Sequence, residues 1–282
     1  MIWSPPKTHE VAVGDRVVQY CRYGEAGWAE ADAVRVISLH GTPGTRWERP
    51  DIVAAINDAG LRVVVPGRPG YGSARRAGRS VADVADDVRA VADAEGWERF
   101  AVTGFSGGAP HALACAALLR ERVTFRSTVA GIGPLELDWW ADARKGEEHL
   151  RKHLSRRADE LLAALGVRRR GVAGEGEGDD GGRSVRLRAS LVDGIDGWID
   201  DYLALVLPWG FDLGEIQAPV SVWYGTGDAN SSIEHTRWLL ANVPGATAHE
   251  YAGGHDPSDA VQREILAELS GDGRRGPRRT RG

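Results

Sequence analysis

Val102-Thr103-Gly104-Phe105-Ser106-Gly107-Gly108 is the stretch from which the rest of the chain is read. The apolar run 99–105 predicts a short buried strand, and the alanine-rich stretch 109–120 predicts a helix directly after it. Gly-x-Ser-x-Gly lies between them. A sharp strand-to-helix turn at this spacing lifts the Ser106 hydroxyl above the edge of a sheet. Gly104 and Gly108 suit the turn because side chains there would collide with the neighbouring strand or helix. The helix N-terminus behind Ser106 offers free backbone N–H groups and a partial positive charge, which favour a developing oxyanion. In a chain with 37 glycines the same five residues also arise as an ordinary loop. The reading therefore depends on partners elsewhere.

Working outward, strand and helix signals alternate from 34 to 130. The almost wholly apolar run 34–39 predicts a strand covered on both faces. It ends in His40-Gly41-Thr42-Pro43-Gly44. A helix is expected over 46–59, with Ile52, Val53 and Ile56 on one face and Gly60 as its stop. A strand over 61–65 leads into the turn-rich Pro66-Gly67-Arg68-Pro69-Gly70-Tyr71-Gly72-Ser73, then a helix over 80–95 with Ser80 as N-cap. A strand over 124–130 follows the Ser106 helix. Upstream, 11–13 and 16–23 read as an antiparallel pair about Gly14-Asp15, and 24–32 as a loop. This is the pattern of a mostly parallel, doubly wound α/β sheet.

The alternation breaks over 134–208, where helical stretches at 147–165, 185–192 and 198–205 predict an inserted helical cap. Within it, the glycine-rich acidic stretch 168–182 reads as a flexible loop. The core pattern resumes with a strand over 220–224, a helix over 232–242, a strand over 247–251 and a helix over 259–269. The expected division is the first part of a core domain at 1–133, the cap at 134–208, the second part of the core domain at 209–269 and a disordered basic tail at 270–282.

At 282 residues and 42% hydrophobic content the chain can bury a substantial core. A net charge of −5 gives no global signal for nucleic acid or an anionic membrane surface. The first ten residues lack the apolar core of a signal peptide, and no apolar run approaches a membrane span. Cys21 and Cys115 read as buried packing residues rather than a disulfide, which suits a reducing cytoplasm; a monomer or homodimer is expected. His149 and His153 stand four apart on a charged helix with no evident third ligand. They read as a solvated face, and neither metal nor cofactor is expected.

A serine nucleophile needs a base, and the base needs an acid to orient it. In a parallel sheet both come from loops at the carboxyl ends of strands, which converge on one edge. The loop after 220–224 carries Asp228, and the loop after 247–251 carries His255. Their chain order is Ser, Asp, His. The oxyanion donors would be the backbone N–H groups of Gly107, directly after the nucleophile, and of Thr42. His40 and Gly41 would hold that second loop in place. In isolation Asp228 reads better as a turn cap. The three positions gain weight jointly.

His40-Gly41-Thr42-Pro43-Gly44, Arg68-Pro69-Gly70-Tyr71-Gly72-Ser73, the Ser106 turn, the Asp228 loop and Gly254-His255 together resemble the α/β-hydrolase superfamily. Within it the chain resembles the serine-nucleophile, cap-bearing branch of esterases and proline iminopeptidase-like enzymes, over about 10–269. Gly197–Asp201 also resembles a run seen in such hydrolases. The resemblance implies an α/β-hydrolase fold with an eight-stranded sheet and an inserted helical cap. It also implies a carboxylesterase-like serine hydrolase that acts on an ester or related acyl bond of a small, partly apolar molecule. Dehalogenases and epoxide hydrolases of this superfamily carry Asp at the elbow, so Ser106 argues against both. Departures from the family pattern are Gly67, where an Asp is common, and Ser231-Ser232, where Val-Pro is common. Trp139, Trp140, Trp198 and Trp209 would line the substrate pocket. Two alternatives stand beside the esterase. One is an aminopeptidase that uses Glu136 or Asp138 to bind an amine. The other is a ligand-binding member of the fold without turnover.

Overall fold

The computed structural model describes residues 6–30, 32–134, 145–164, 183–217 and 219–271. Strands β1 (Thr8–Val13) and β2 (Arg16–Tyr23) form the expected hairpin. The loop expected over 24–32 contains a short helix, α1 (Glu25–Ala29). Five residues are too few to show helical periodicity. What seats this turn is close packing: a Cβ on Gly27 would lie 2.4 Å from the Leu61 carbonyl oxygen.

The alternating core follows as β3 (Arg35–Leu39), α2 (Pro50–Asp58), β4 (Arg62–Pro66), α3 (Val84–Ala94), β5 (Phe100–Phe105), α4 (Gly108–Leu118) and β6 (Val123–Val129). After the inserted helices come β7 (Val220–Gly225), α8 (Ile233–Asn242), β8 (Ala246–Tyr251) and α9 (Asp259–Ser270). Helices α2 and α3 start later than their sequence signals. Pro50 occupies the first position of α2, where a missing N–H costs nothing. Ser80 is a hydrogen-bond donor rather than a cap: its N–H and hydroxyl both donate to the Asp83 carboxylate, at 2.7 and 3.0 Å.

The eight strands form one sheet in the order β1-β2-β4-β3-β5-β6-β7-β8, with β2 alone antiparallel to its neighbours. The chain moves outward from β3 to β4 and then returns across β3 to β5. That reversal opens a crevice at the carboxyl ends of β3 and β5, the place where doubly wound sheets bind ligands. The His40 and Ser106 turns both leave from it. One face of the sheet is packed by α3 and α4 around Val102, Leu113 and Val88. The other is packed by α2 and α9 around Val36, Ile56 and Leu266.

Between β6 and β7 lie α5 (Glu147–Ala164), α6 (Arg183–Ser190) and α7 (Asp196–Val206). Leu150, Leu154, Ala158, Ile195, Trp198 and Ile199 form a separate small core there with Tyr71. The predicted loop 168–182, Glu136, Asp138, Trp139, Trp140 and the tail beyond 271 lie outside the described residues. No helix among the described residues is long and apolar enough to cross a membrane.

Candidate active site

Ser106 sits at the junction of β5 and α4 with φ 53°, a left-handed conformation that costs a non-glycine residue about 1–3 kcal/mol. The turn is held by its neighbours: the Ser106 N–H donates to Val129 O at 2.8 Å, and the Ala109 N–H donates to Ser106 O at 2.9 Å. A Cβ on Gly104 would lie 2.3 Å from Gly108 O, and one on Gly108 would lie 2.1 Å from Leu39 O. Only glycine at both positions lets helix and strands meet this closely. Thr42 packs directly on Gly107, where an added Cβ would lie 2.4 Å from Thr42 Oγ1. The backbone N–H groups of Thr42 and Gly107 are thus neighbours, and neither donates to a backbone carbonyl among the described residues.

The loops after β7 and β8 are tied together by the Thr226 N–H to Tyr251 O and the Gly227 N–H to Gly253 O, at 3.0 and 2.8 Å. This brings Asp228 Oδ2 to 2.8 Å from His255 Nδ1. The other carboxylate oxygen accepts from the Asn230 and Ser231 N–H groups, both at 2.8 Å. Burial pushes the Asp228 carboxyl up, but the His255 bond and these backbone donors outweigh it and hold the group below its ordinary value. An ionised Asp228 takes the proton-bearing Nδ1 of His255 and leaves Nε2 facing the cavity. Ser231, at a departure from the family pattern, is well used: its hydroxyl donates to Ala130 O at 2.9 Å. Gly67 also fits tightly, since a Cβ there would lie 3.1 Å from Tyr71 O.

Ser106, Gly107, Thr42 and His255 line one cavity of about 760 Å³. The Ser106 hydroxyl and His255 share it without a hydrogen bond between them. In ligand-free sites such bonds commonly form only once substrate is bound. Helix α5 contributes His153, Arg156 and Arg157 to the wall, and α7 contributes Trp198 and Tyr202. His153 therefore borders the cavity, contrary to the solvated face expected for it, while His149 is exposed. Among the described residues no group of three or more His, Cys, Asp or Glu could hold a metal. Of the four tryptophans expected in the pocket, Trp198 lines it and Trp209 does not. Trp209 stacks on Phe211, meets Trp238 edge-on, and donates Nε1–H to Leu205 O at 3.2 Å. It fastens α7 to the core.

The sequence reading missed the part played by Asp201. This residue of α7 is fully buried beneath the Thr42 loop. Its carboxylate accepts from Arg68 Nη2 at 2.6 Å, Arg79 Nη2 at 2.6 Å, Thr42 Oγ1 at 2.7 Å and the Tyr71 hydroxyl at 3.0 Å. Burial pushes Asp201 up, but Arg68 and Arg79 together hold it well below its ordinary value. Arg68 also donates to the carbonyls of His40 and Gly41 and to Thr42 Oγ1. Its own N–H donates to His40 Nε2 at 3.2 Å, so Nδ1 of that ring donates to Gly41 O at 2.8 Å. Burial and the Arg68 charge keep His40 neutral, a supporting role and not that of a second base. A signal was present in the sequence: arginines in a turn-rich loop that packs against the core need a counter-charge, and Asp200-Asp201 supplies it. Asp200 takes Arg75 in a paired contact, both bonds at 2.8 Å.

His111 on α4 adds a pH dependence. It donates from Nδ1 to Gly107 O at 2.8 Å, and burial, with help from Arg68, pushes its pKa from 6.5 down to about 3. Between these values the unfolded chain binds a proton that the folded chain refuses, so stability falls as pH drops from 6.5 towards 3. Urea midpoints measured at pH 7 and pH 4.5 should show this loss, and His111→Asn should lose less between the two.

The profile of the alpha/beta hydrolase fold family matches residues 34–175. Among solved structures, a hydrolase from Pseudomonas aeruginosa is 17% identical at TM-score 0.70, covering 93% of this chain and 98% of its own. A thermophilic esterase from Thermogutta terrifontis is 18% identical at TM-score 0.68, covering 95% and 98%. The enol-lactonase from Burkholderia xenovorans is 19% identical at TM-score 0.64, covering 93% and 99%. No curated protein sequence matches significantly. At these identities the structural likeness is one of fold. Together with the family profile over half the chain, it establishes that the protein belongs to the alpha/beta hydrolase fold family.

Proposed function

We propose that the protein is a serine hydrolase, carboxylesterase-like, that cleaves an ester or related acyl bond of a small, partly apolar molecule. The observation that carries this is the 2.8 Å Asp228–His255 bond, which aims His255 into the cavity that Ser106 lines. His255 Nε2 takes the Ser106 proton as Oγ attacks the substrate carbonyl. The Thr42 and Gly107 N–H groups hold the negative charge that develops on the carbonyl oxygen. Collapse expels the alcohol, which takes the proton from His255, and leaves an acyl group on Ser106. Water then repeats the sequence and releases the acid. Asp228 fixes the His255 tautomer and stabilises the imidazolium formed twice in each cycle.

The cavity volume of about 760 Å³ falls in the range typical of small-molecule sites. Among the described residues, α5 and α7 act as a cap over this edge. The esterase and the enol-lactonase that share the fold carry out chemistry of this class. An aminopeptidase is less well supported. Glu136 and Asp138 lie outside the described residues, and the cap presents Arg156 and Arg157 to the cavity, which repel an ammonium group. The nearby carboxylate of Glu160 lies 3.7 Å from Arg157. A binding protein without turnover would have no use for the aligned Asp228, His255 and paired N–H groups.

Acid quenching during turnover of p-nitrophenyl butyrate, followed by peptide mass analysis, should find a butyryl adduct on the peptide that carries Ser106. Ser106→Ala should give neither adduct nor turnover. Undiminished turnover by that variant would overturn the proposal.

A further inference from the structure

A helix on a protein surface buries an apolar stripe and sends its charged face into solvent. Helix α5 departs from this. It buries Leu150, Leu154 and Ala158 in the small core that it shares with α7. Beside that stripe, His153, Arg156, Arg157 and Glu160 follow one another three and four residues apart along a single face. This charged face lines the cavity that holds Ser106 and His255. The wall around it is apolar, with Ile132, Leu161, Trp198 and Leu205.

The charges along the cavity do not all find partners. Arg157 has the Glu160 carboxylate at 3.7 Å, one turn further along the helix. Asp256, which also borders the cavity, stands 4.0 Å from Arg49. Arg156 makes no ion pair and no hydrogen bond among the described residues. It is exposed, so its charge is held at little cost and its donors stay open to a ligand.

We propose that Arg156 binds a carboxylate carried on the substrate away from the bond that is cleaved. The inference rests on the serine hydrolase reading and names its substrate class: esters that bear a second, free carboxylate. The planar fork of a guanidinium matches both oxygens of a carboxylate. One free guanidinium balances one negative charge. A phosphate monoester carries nearly two and would need a second free cation, whereas Arg157 is already engaged by Glu160. The apolar wall between Arg156 and the reacting groups takes the hydrocarbon part of the substrate. Because water reaches Arg156, the contact is worth about tenfold in preference, the lower end for charged hydrogen bonds. It weakens as salt rises.

The test compares matched esters by kcat/KM. p-Nitrophenyl hydrogen adipate and p-nitrophenyl hexanoate end acyl chains of equal length in a carboxylate or a methyl group. 4-Acetoxybenzoate and 4-acetoxybenzamide make the same comparison on the alcohol side. In one of these pairs the anion-to-neutral ratio should fall about tenfold from wild type to Arg156→Gln. The wild-type ratio for that pair should also fall on raising salt to about 0.5 M. Glu160→Gln should raise it, since that change removes a negative neighbour and releases Arg157. Unfolded protein lowers both esters of a pair together and so does not enter the ratio. Ratios unchanged in Arg156→Gln for both pairs would overturn the carboxylate site while leaving the hydrolase standing. No turnover of any of these esters by folded wild type would instead remove the reading on which the site rests.

Discussion

Asp201→Ala is expected to destabilise the protein by about 3–5 kcal/mol, because it strips two buried cations of their counter-charge. The side chains of Arg68, Arg79 and Asp201 are 1%, 3% and 0% exposed, so solvent does little to screen what is left. Arg68 would keep its bonds to the His40 and Gly41 carbonyls, which are dipoles and not charges. Tyr71 and Thr42 would each lose an acceptor. The effect reaches the site because Thr42 carries one proposed oxyanion donor. Chemical unfolding should show the loss of stability, and kcat should fall in the fraction that remains folded. Asp201→Asn keeps the shape and some of the bonds, so its loss should be smaller than that of alanine. A wild-type unfolding midpoint for Asp201→Ala would mean that the buried cluster is neutralised in some other way.

The proposed nucleophile and base act as a unit, so their substitutions should not add. Ser106→Ala and His255→Ala are each expected to lower kcat by about 10⁶, since either removes the activated oxygen. The double variant should be no worse than either single one. Asp228→Asn should cost about 10⁴, because it leaves both reacting groups in place but presents His255 in the wrong tautomer. What survives in all of them is the contribution of the Thr42 and Gly107 N–H groups. Steady-state kinetics on one ester with the four variants checks the pattern. Additive losses in the double variant would mean that the two residues act independently.

Most of the core was legible because a doubly wound sheet leaves regular marks. Runs such as 34–39 and 99–105 are apolar throughout since both faces are covered, and the turns after them carry the glycines that close approach demands. The Ser106, Asp228 and His255 positions were readable for the same reason: each follows a recognisable strand end. Features set by tertiary contact left weaker marks. Helix α1 is seated by Gly24 and Gly27 against Leu61, a packing relation that five residues do not announce. Ser80 looked like a cap but donates to Asp83, because the chain continues as a turn before α3 begins. Trp198 and Trp209 have like surroundings in sequence. One lines the cavity and the other fastens α7 to the core, a difference made by how α7 packs. Asp201 was the largest omission. A carboxylate on a cap helix reads as solvated until the helix is seen to bury it on Arg68, Arg79 and Thr42.

The first measurement is labelling of the purified protein with a fluorophosphonate probe, alongside Ser106→Ala and His255→Ala. An activated serine at the end of β5 predicts rapid labelling of the wild type at Ser106 and none of Ser106→Ala, with His255→Ala strongly slowed. A folded wild-type protein that takes up no probe, or a Ser106→Ala variant labelled as fast as the wild type, would contradict the assignment of Ser106 as nucleophile.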